Sequence, residues 1–217
     1  MINPASGTPA APQPTVFIVE DDPSMRKSLR SLVESAGHRA ETFASADEYL
    51  ERLNPADPGC LILDLRMPGT TGLQLLEQLR TRKVLIPAII VTAFGDVPSA
   101  VYAIKTGAVD FIEKPFSGAQ LLERVQQAIE QDGRRRKEVS AVSEIKTKLN
   151  LLTAREKEVL DLVVAGLASK QIAIELHLSQ KTVESHRAHI MEKLQVGNVA
   201  ELVNMVMTAG AAEGGKA

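Results

Sequence analysis

Over the first 130 positions, apolar residues come in short unbroken runs, and each run ends on a polar or charged group. Val16-Phe17-Ile18-Val19 ends on Glu20-Asp21, and Cys60-Leu61-Ile62-Leu63 ends on Asp64. Ala88-Ile89-Ile90-Val91 delivers Thr92, and Phe111-Ile112-Glu113 delivers Lys114-Pro115. Continuous apolar runs read as strands buried on both faces, because a strand with one wet face alternates. Between the runs, apolar residues recur at helical spacing, as at Met25, Leu29, Leu32 and Val33. The pattern predicts strands at Val16–Val19, Arg39–Phe43, Leu61–Leu63, Ala88–Val91 and Asp110–Ile112. Helices are predicted at Pro23–Ser35, Ala46–Leu53, Gly72–Thr81, Val97–Thr106 and Gly118–Glu130. Such alternation implies a doubly wound α/β fold, a five-stranded parallel sheet with helices on both faces, since right-handed crossovers place them there.

A polar bridge follows, Gln131 to Asn150, with the basic run Arg134-Arg135-Arg136-Lys137. Val139, Val142, Ile145 and Leu149 still recur at steps of three to four, so the bridge reads either as a helix with a weak apolar stripe or as a solvated linker. From Leu151 the pattern is all-helical. Thr153 with Glu156 three residues on is a capping box for a helix that stops at Gly166. Ser169 is expected to cap Lys170–Leu176, Ser179 a longer helix to Leu194, and Asn198 with Glu201 a last helix, Val199–Thr208. The expected organisation is therefore a disordered tail (1–14), an α/β domain (15–130), a helical linker (131–148), an all-α four-helix domain (149–210) and a frayed tail (211–217).

Composition adds little and charge slightly more. The chain has 217 residues, 44% hydrophobic and 24% charged, ordinary for a globular protein. No stretch reaches the roughly 20 apolar residues that span a bilayer, and the start lacks the basic and apolar regions of a secretory signal. The single cysteine, Cys60, excludes an intramolecular disulfide and fits a reducing cytoplasm, the expected location. Residues 1–133 carry a net charge of −5 and residues 134–217 a net charge of +3, so the second half is the one suited to a polyanion.

Ligands of open α/β sheets bind outside the carboxyl ends of the strands, where these runs deliver three carboxylates, a hydroxyl and an ammonium. Clustered carboxylates repel one another and call for a cation. Oxygen ligands suit Mg²⁺ (or Mn²⁺): Asp21 and Asp64 as direct ligands, the backbone carbonyl of Arg66 as a third, and Glu20 through water. An aspartate beside such an ion can act as a nucleophile toward phosphorus. Lys114 and Thr92 would then hold the phosphoryl oxygens. Asp22 is the weaker contributor, expected to point away.

These motifs resemble the receiver domain of bacterial two-component response regulators. Glu20-Asp21-Asp22-Pro23-Ser24-Met25-Arg26, Leu63-Asp64-Leu65-Arg66-Met67-Pro68-Gly69, Val91-Thr92-Ala93 and Lys114-Pro115-Phe116 fall in family order over Thr15–Glu130. The resemblance implies the flavodoxin-like strand order 2-1-3-4-5, and Asp64 as acceptor of a phosphoryl group from a sensor histidine kinase. It further implies a cis bond after Lys114 and an inward movement of Thr92 and Phe111 on phosphorylation. The family more often has aspartate where this chain has Glu20.

In the helical half, Val183, the stem of Arg187, Ile190 and Leu194 make one apolar face, and Lys181, Thr182, Glu184, Ser185 and Ala188 lie opposite. A helix-turn-helix offers the start of such a second helix to the major groove. Leu152-Thr153-Ala154-Arg155-Glu156-Lys157-Glu158-Val159-Leu160, Lys170-Gln171-Ile172-Ala173 and Ser179-Gln180-Lys181-Thr182-Val183-Glu184-Ser185-His186 look like the LuxR-type DNA-binding domain. The two halves together are similar to the FixJ/NarL class of transcription factors. The resemblance implies base readout from Glu184, Ser185 and Ala188, and dimerisation through the final helix. Lys170, Lys181, Arg187 and Lys193 are expected phosphate contacts. The partners expected are a cognate kinase, double-stranded promoter DNA, RNA polymerase and, on phosphorylation, a second copy of the chain, with no membrane. Beyond Mg²⁺-dependent self-phosphorylation and dephosphorylation at Asp64, no enzyme is expected. A phosphatase with an aspartyl intermediate would want an acid where Arg66 stands, and a protein-binding adaptor would want an apolar groove where Lys181–Ser185 is polar.

Overall fold

The computed structural model describes residues 12–93 and 97–214. Residues 1–11 and 215–217 of the two expected tails lie outside them. The chain divides between Arg135 and Arg136 into two compact units.

In the first unit, strands β1 (Thr15–Val19), β2 (Arg39–Phe43), β3 (Gly59–Leu63), β4 (Ala88–Thr92) and β5 (Ala108–Glu113) form one parallel sheet in the order β2-β1-β3-β4-β5. Helices α1 (Pro23–Ser35), α2 (Ala46–Arg52), α3 (Gly72–Thr81), α4 (Val97–Thr106) and α5 (Gly118–Asn150) connect and flank it. Successive residues of a strand point to opposite faces, so the unbroken apolar runs split into two cores. Phe17, Val19, Leu61, Leu63 and Ile90 pack with Tyr49 of α2, Leu75 and Leu79 of α3 and Ala103 of α4. Val16, Ile18, Cys60, Ile62, Ile89 and Val91 pack with Leu29 and Val33 of α1 and Leu121 and Val125 of α5. Cys60 is buried, and burial pushes its thiol up to about 12, so it serves as core.

α5 continues past Glu130, the expected end of its first segment, through the bridge, where the structure has the helix of the two readings. Nothing between Gln131 and Asn150 breaks a helix: there is no proline, and Gly133 stands among strong helix formers. Its seam of Leu121, Val125 and Ala128 ends in a buried acid, Asp132, 1% exposed. One Asp132 oxygen accepts from the Gly59 amide (3.0 Å) and the other from Arg135 (2.6 Å). Gly59 starts β3 at φ +142°, and a Cβ there would lie 1.8 Å from the carbonyl oxygen of Thr15. Only glycine therefore fits where β3 begins against β1, and the acid takes the amide of that glycine.

In the second unit, α6 (Ala154–Val164), α7 (Ser169–Glu175), α8 (Gln180–Leu194) and α9 (Val199–Gly214) enclose Leu152, Val159, Val163, Ile172, Val183, Ile190, Leu194 and Leu202. Thr153 and Glu156 make the reciprocal capping box, Ser179 accepts from the Thr182 amide (3.0 Å), and Asn198 accepts from the Glu201 amide (2.9 Å). Ser169 does not cap. It is the first helical residue, Ala168 takes the cap position, and the Gln171 side chain accepts from the Ala168 amide (2.9 Å). α9 continues beyond Thr208 to Gly214 because the small residues there permit helix.

Asp132→Ala strips partners from a buried amide and a guanidinium. The first unit should lose about 2 kcal/mol in denaturant unfolding of the full chain. Asp132→Asn, which keeps an acceptor for the Gly59 amide, should lose less.

Candidate functional site: an acidic pocket and a helix-turn-helix

β1 and β3 pair in register with Val19 opposite Leu63, so Glu20 and Asp64 leave the sheet side by side. The last sheet bond there runs from the Asp64 amide to the carbonyl of Val19 (3.0 Å). Carboxylate oxygens of Glu20, Asp21 and Asp64 lie within 4.8 Å of one another. On the other side, β4 and β5 place Thr92 opposite Glu113, and the Lys114 amide donates to the carbonyl of Thr92 (2.8 Å). The bond between Lys114 and Pro115 is cis. The Lys114 ammonium donates to Glu20 Oε2 and to Asp64 Oδ2, both at 2.7 Å. Glu20, Asp64 and Thr92 are buried.

Burial is the chief reason that Glu20 is held above the ordinary carboxylate range, partly offset by Lys114. Burial pulls Lys114 down, but the hydrogen bonds to Asp64 and Glu20 outweigh it and hold the ammonium above its usual value. The pocket therefore contains a charged lysine between two acids. The donor set is oxygen only and fits a hard divalent cation.

The remaining expected residues fall around this pocket or beside it. The Arg66 amide donates to Asp64 Oδ1 (3.1 Å), which anchors the loop whose carbonyl was expected to ligate. Phe111 is half-buried against the core on the α3 and α4 side, opposite Ile90 and so two register steps from Thr92. Asp22 faces away: it is the N-cap of α1 and accepts from the Met25 amide (2.6 Å).

Two contributors carry no sequence signal of their role. Arg26 in the first turn of α1 donates to the carbonyls of Glu20 (2.7 Å) and Asp21 (3.0 Å). It closes the Glu20–Arg26 motif in the sequence, but nothing there says which carbonyls its side chain serves. Gly72, at the start of α3, crosses so close to the loop after β3 that a Cβ would lie 2.2 Å from the carbonyl oxygen of Asp64. The Thr71-x-x-Gln74 capping box is legible around it, but the crossing is not.

In the helical unit, α8 buries Val183, Ile190 and Leu194, half-buries Arg187 and exposes Lys181, Glu184, Ser185 and Ala188. Thr182 is half-buried, with Oγ1 2.7 Å from Ser179 Oγ, and Glu184 accepts from Gln180 Nε2 (2.9 Å). Lys170 is exposed on α7. Arg155 of α6 donates to the carbonyl of Leu176 (2.6 Å) and so holds the end of α7 at the turn. Lys193 differs from its expected place among the phosphate contacts. Its ammonium donates to the buried Glu156 (2.7 Å), whose carboxylate also takes the amide and hydroxyl of Thr153. The hydrogen bond from Lys193 is the main cause that brings Glu156 down to about 2, with burial opposing and Thr153 assisting.

A parallel sheet with an acid trio, a hydroxyl and a lysine at its carboxyl edge, joined to a helix-turn-helix, defines a signal-receiving regulator with a nucleic-acid reader. Comparison with known proteins gives the family. Residues 16–126 match the response regulator receiver domain, and residues 150–206 match the bacterial regulatory proteins of the luxR family. Nodulation protein W of Bradyrhizobium diazoefficiens is 42% identical over 94% of this chain and 89% of its own. The transcriptional regulatory protein FixJ of Azorhizobium caulinodans is 40% identical over 91% and 93%. The solved response regulator StyR superposes with a TM-score of 0.84 at 44% identity, over 90% of this chain and 98% of its own. The chain belongs to the two-component response regulators that join a receiver to a LuxR-type DNA-binding domain, and it is a transcription regulator. No described helix is long and apolar enough to cross a membrane.

Gly72→Ala should force α3 off the loop that carries Asp64 at a cost of about 1–3 kcal/mol, read from the denaturation midpoint. A midpoint unchanged from wild type would show that the crossing has slack. For Glu156, a folded value below the ordinary 4.5 means that its stabilisation is present above pH 4.5 and is lost as pH falls toward about 2. A carboxyl-detected NMR titration should place its inflection near pH 2, and Lys193→Met should move it upward.

Proposed function

We propose that Asp64 is the phosphoryl acceptor and that its phosphorylation switches dimerisation and promoter binding. The observation that carries this reading is the bridging of Glu20 and Asp64 by the Lys114 ammonium, 2.7 Å from each, beside Asp21. In the transfer, an Asp64 carboxylate oxygen attacks the phosphorus of a kinase phosphohistidine. The P–N bond breaks, its electron pair stays on the imidazole, and a mixed anhydride forms; water later cleaves it and regenerates the carboxylate. Asp21, Asp64 and the Arg66 carbonyl would hold Mg²⁺ (or Mn²⁺), with Glu20 acting through water; when bound, the ion cancels charge as phosphate approaches carboxylate. Lys114 and the Thr92 hydroxyl take the phosphoryl oxygens.

Thr92 and Phe111 then move together, and the surface from Val97 to Ile112 becomes a dimer face. Val101 and Ile104 on it are 47% exposed, as an interface in waiting requires. Two copies place two α8 helices on two half-sites. Glu184, Ser185 and Ala188 meet base edges, with Thr182 beside them, and Lys170, Lys181 and Arg187 meet phosphates; Lys193 is assigned to holding Glu156 instead. The kinase, promoter DNA and RNA polymerase are the partners, in the cytoplasm.

With an acyl phosphate donor and Mg²⁺, wild type should take up phosphoryl label and bind a cognate promoter fragment more tightly, whereas Asp64→Asn should do neither. Label incorporation unchanged in Asp64→Asn overturns the assignment.

A further inference from the structure

The carbonyls of residues 19–22 lie where the chain passes from β1 to α1. That of Val19 is the last served by the sheet, from the Asp64 amide. That of Asp22 is the first served by α1, from the Arg26 amide (2.9 Å). The two between, on Glu20 and Asp21, precede the helix and lie beyond the strand pairing. Both accept from one guanidinium nitrogen of Arg26, at 2.7 and 3.0 Å. One residue therefore serves three consecutive acidic residues, twice through its side chain and once through its backbone. Meanwhile Asp22 caps the same helix through the Met25 amide. Donors on both carbonyls fix the peptide planes that follow Glu20 and Asp21, and so fix where the two carboxylates leave the chain. A charged donor makes the stronger kind of hydrogen bond, and a planar guanidinium loses little freedom in making two.

We propose that Arg26 is a positioning residue for the acceptor pocket: by pinning the carbonyls of Glu20 and Asp21 to the first turn of α1, it holds their carboxylates converged on Asp64 for a divalent cation. The inference rests on the pocket being a cation site, as proposed above. The opposing effect is electrostatic, since a nearby positive charge repels a cation. The two effects predict opposite signs, which makes the test decisive.

Mg²⁺ is titrated into the full-length wild type, Arg26→Met and Arg26→Lys, with amide NMR shifts and melting temperature recorded before the ion is added. Arg26→Met should bind Mg²⁺ about tenfold more weakly, the factor that about 1.4 kcal/mol represents. Its ion-free spectrum should differ at the amides of Asp21 and Asp22, with those of Leu29 and Val33 in place. Arg26→Lys, which keeps a charged nitrogen with N–H donors on a shorter arm, should recover part of the affinity. Unchanged or tighter Mg²⁺ binding in Arg26→Met overturns the inference, as does a loss that tracks melting of the whole of α1. If Arg26→Met does not fold, Arg26→Gln replaces it under the same criteria. Failure of the wild type to bind Mg²⁺ would strike the cation reading itself, a result distinct from equal binding by wild type and variant.

Discussion

Two buried carboxylates, Glu20 and Asp64, share a single ammonium, and much of the receiver unit serves that arrangement. Like charges at about 4 Å repel by about 4 kcal/mol at the effective dielectric of a protein surface, more than most single contacts contribute. Lys114 relieves this repulsion only because the pairing of β4 and β5 brings its backbone amide to Thr92 and its side chain across to β1 and β3. A sheet built in another order would leave the acids on one strand pair and their counter-ion elsewhere. The in-register parallel pairing of β1 with β3 is thus an electrostatic device as much as a packing one.

The same logic recurs in the helical unit on a smaller scale. Glu156 is buried with three donors around it, two from Thr153 in its own capping box and one from Lys193 on α8. A local cap has become a tie between helices, and it fixes α8 relative to α6. Arg155 does a related job at the turn before α8 by accepting responsibility for the Leu176 carbonyl. The second helix of the helix-turn-helix is held from behind by residues of the helix that precedes the motif, and Lys181, Glu184 and Ser185 stay exposed on it.

Most elements were legible because their signals are local. Pro23–Ser35, Gly72–Thr81 and Val97–Thr106 begin and end where proline, capping and periodicity place them. Strand ends moved by one or two residues, since pairing extends as far as a neighbour offers partners. α5 and the helical bridge expected after it form one unbroken helix, because helix formation tolerates a polar, weakly striped sequence when no breaker intervenes. Ser169 misled because a serine before a helical run is a good cap only if its own dihedrals stay extended, and here Ala168 has them. The pocket residues were legible as a group, four strand ends converging. Arg26, Gly72 and the Lys193 pairing were not, because each depends on which backbone or side chain arrives from another part of the chain.

Apolar periodicity and strand-end chemistry are written along the chain, so composition at neighbouring positions was enough to settle the sheet, its two helical layers and the acids at its carboxyl edge. What required the folded chain were relations across distance: Lys114 reaching Glu20 over 94 positions, Asp132 meeting the Gly59 amide over 73, and Lys193 tied to Glu156 over 37. Local propensity sets which residues leave an element at which end, but hydrogen bonds and charge compensation are made between elements. Only tertiary packing decides those partners, because each contact energy depends on a distance that no neighbouring residue specifies.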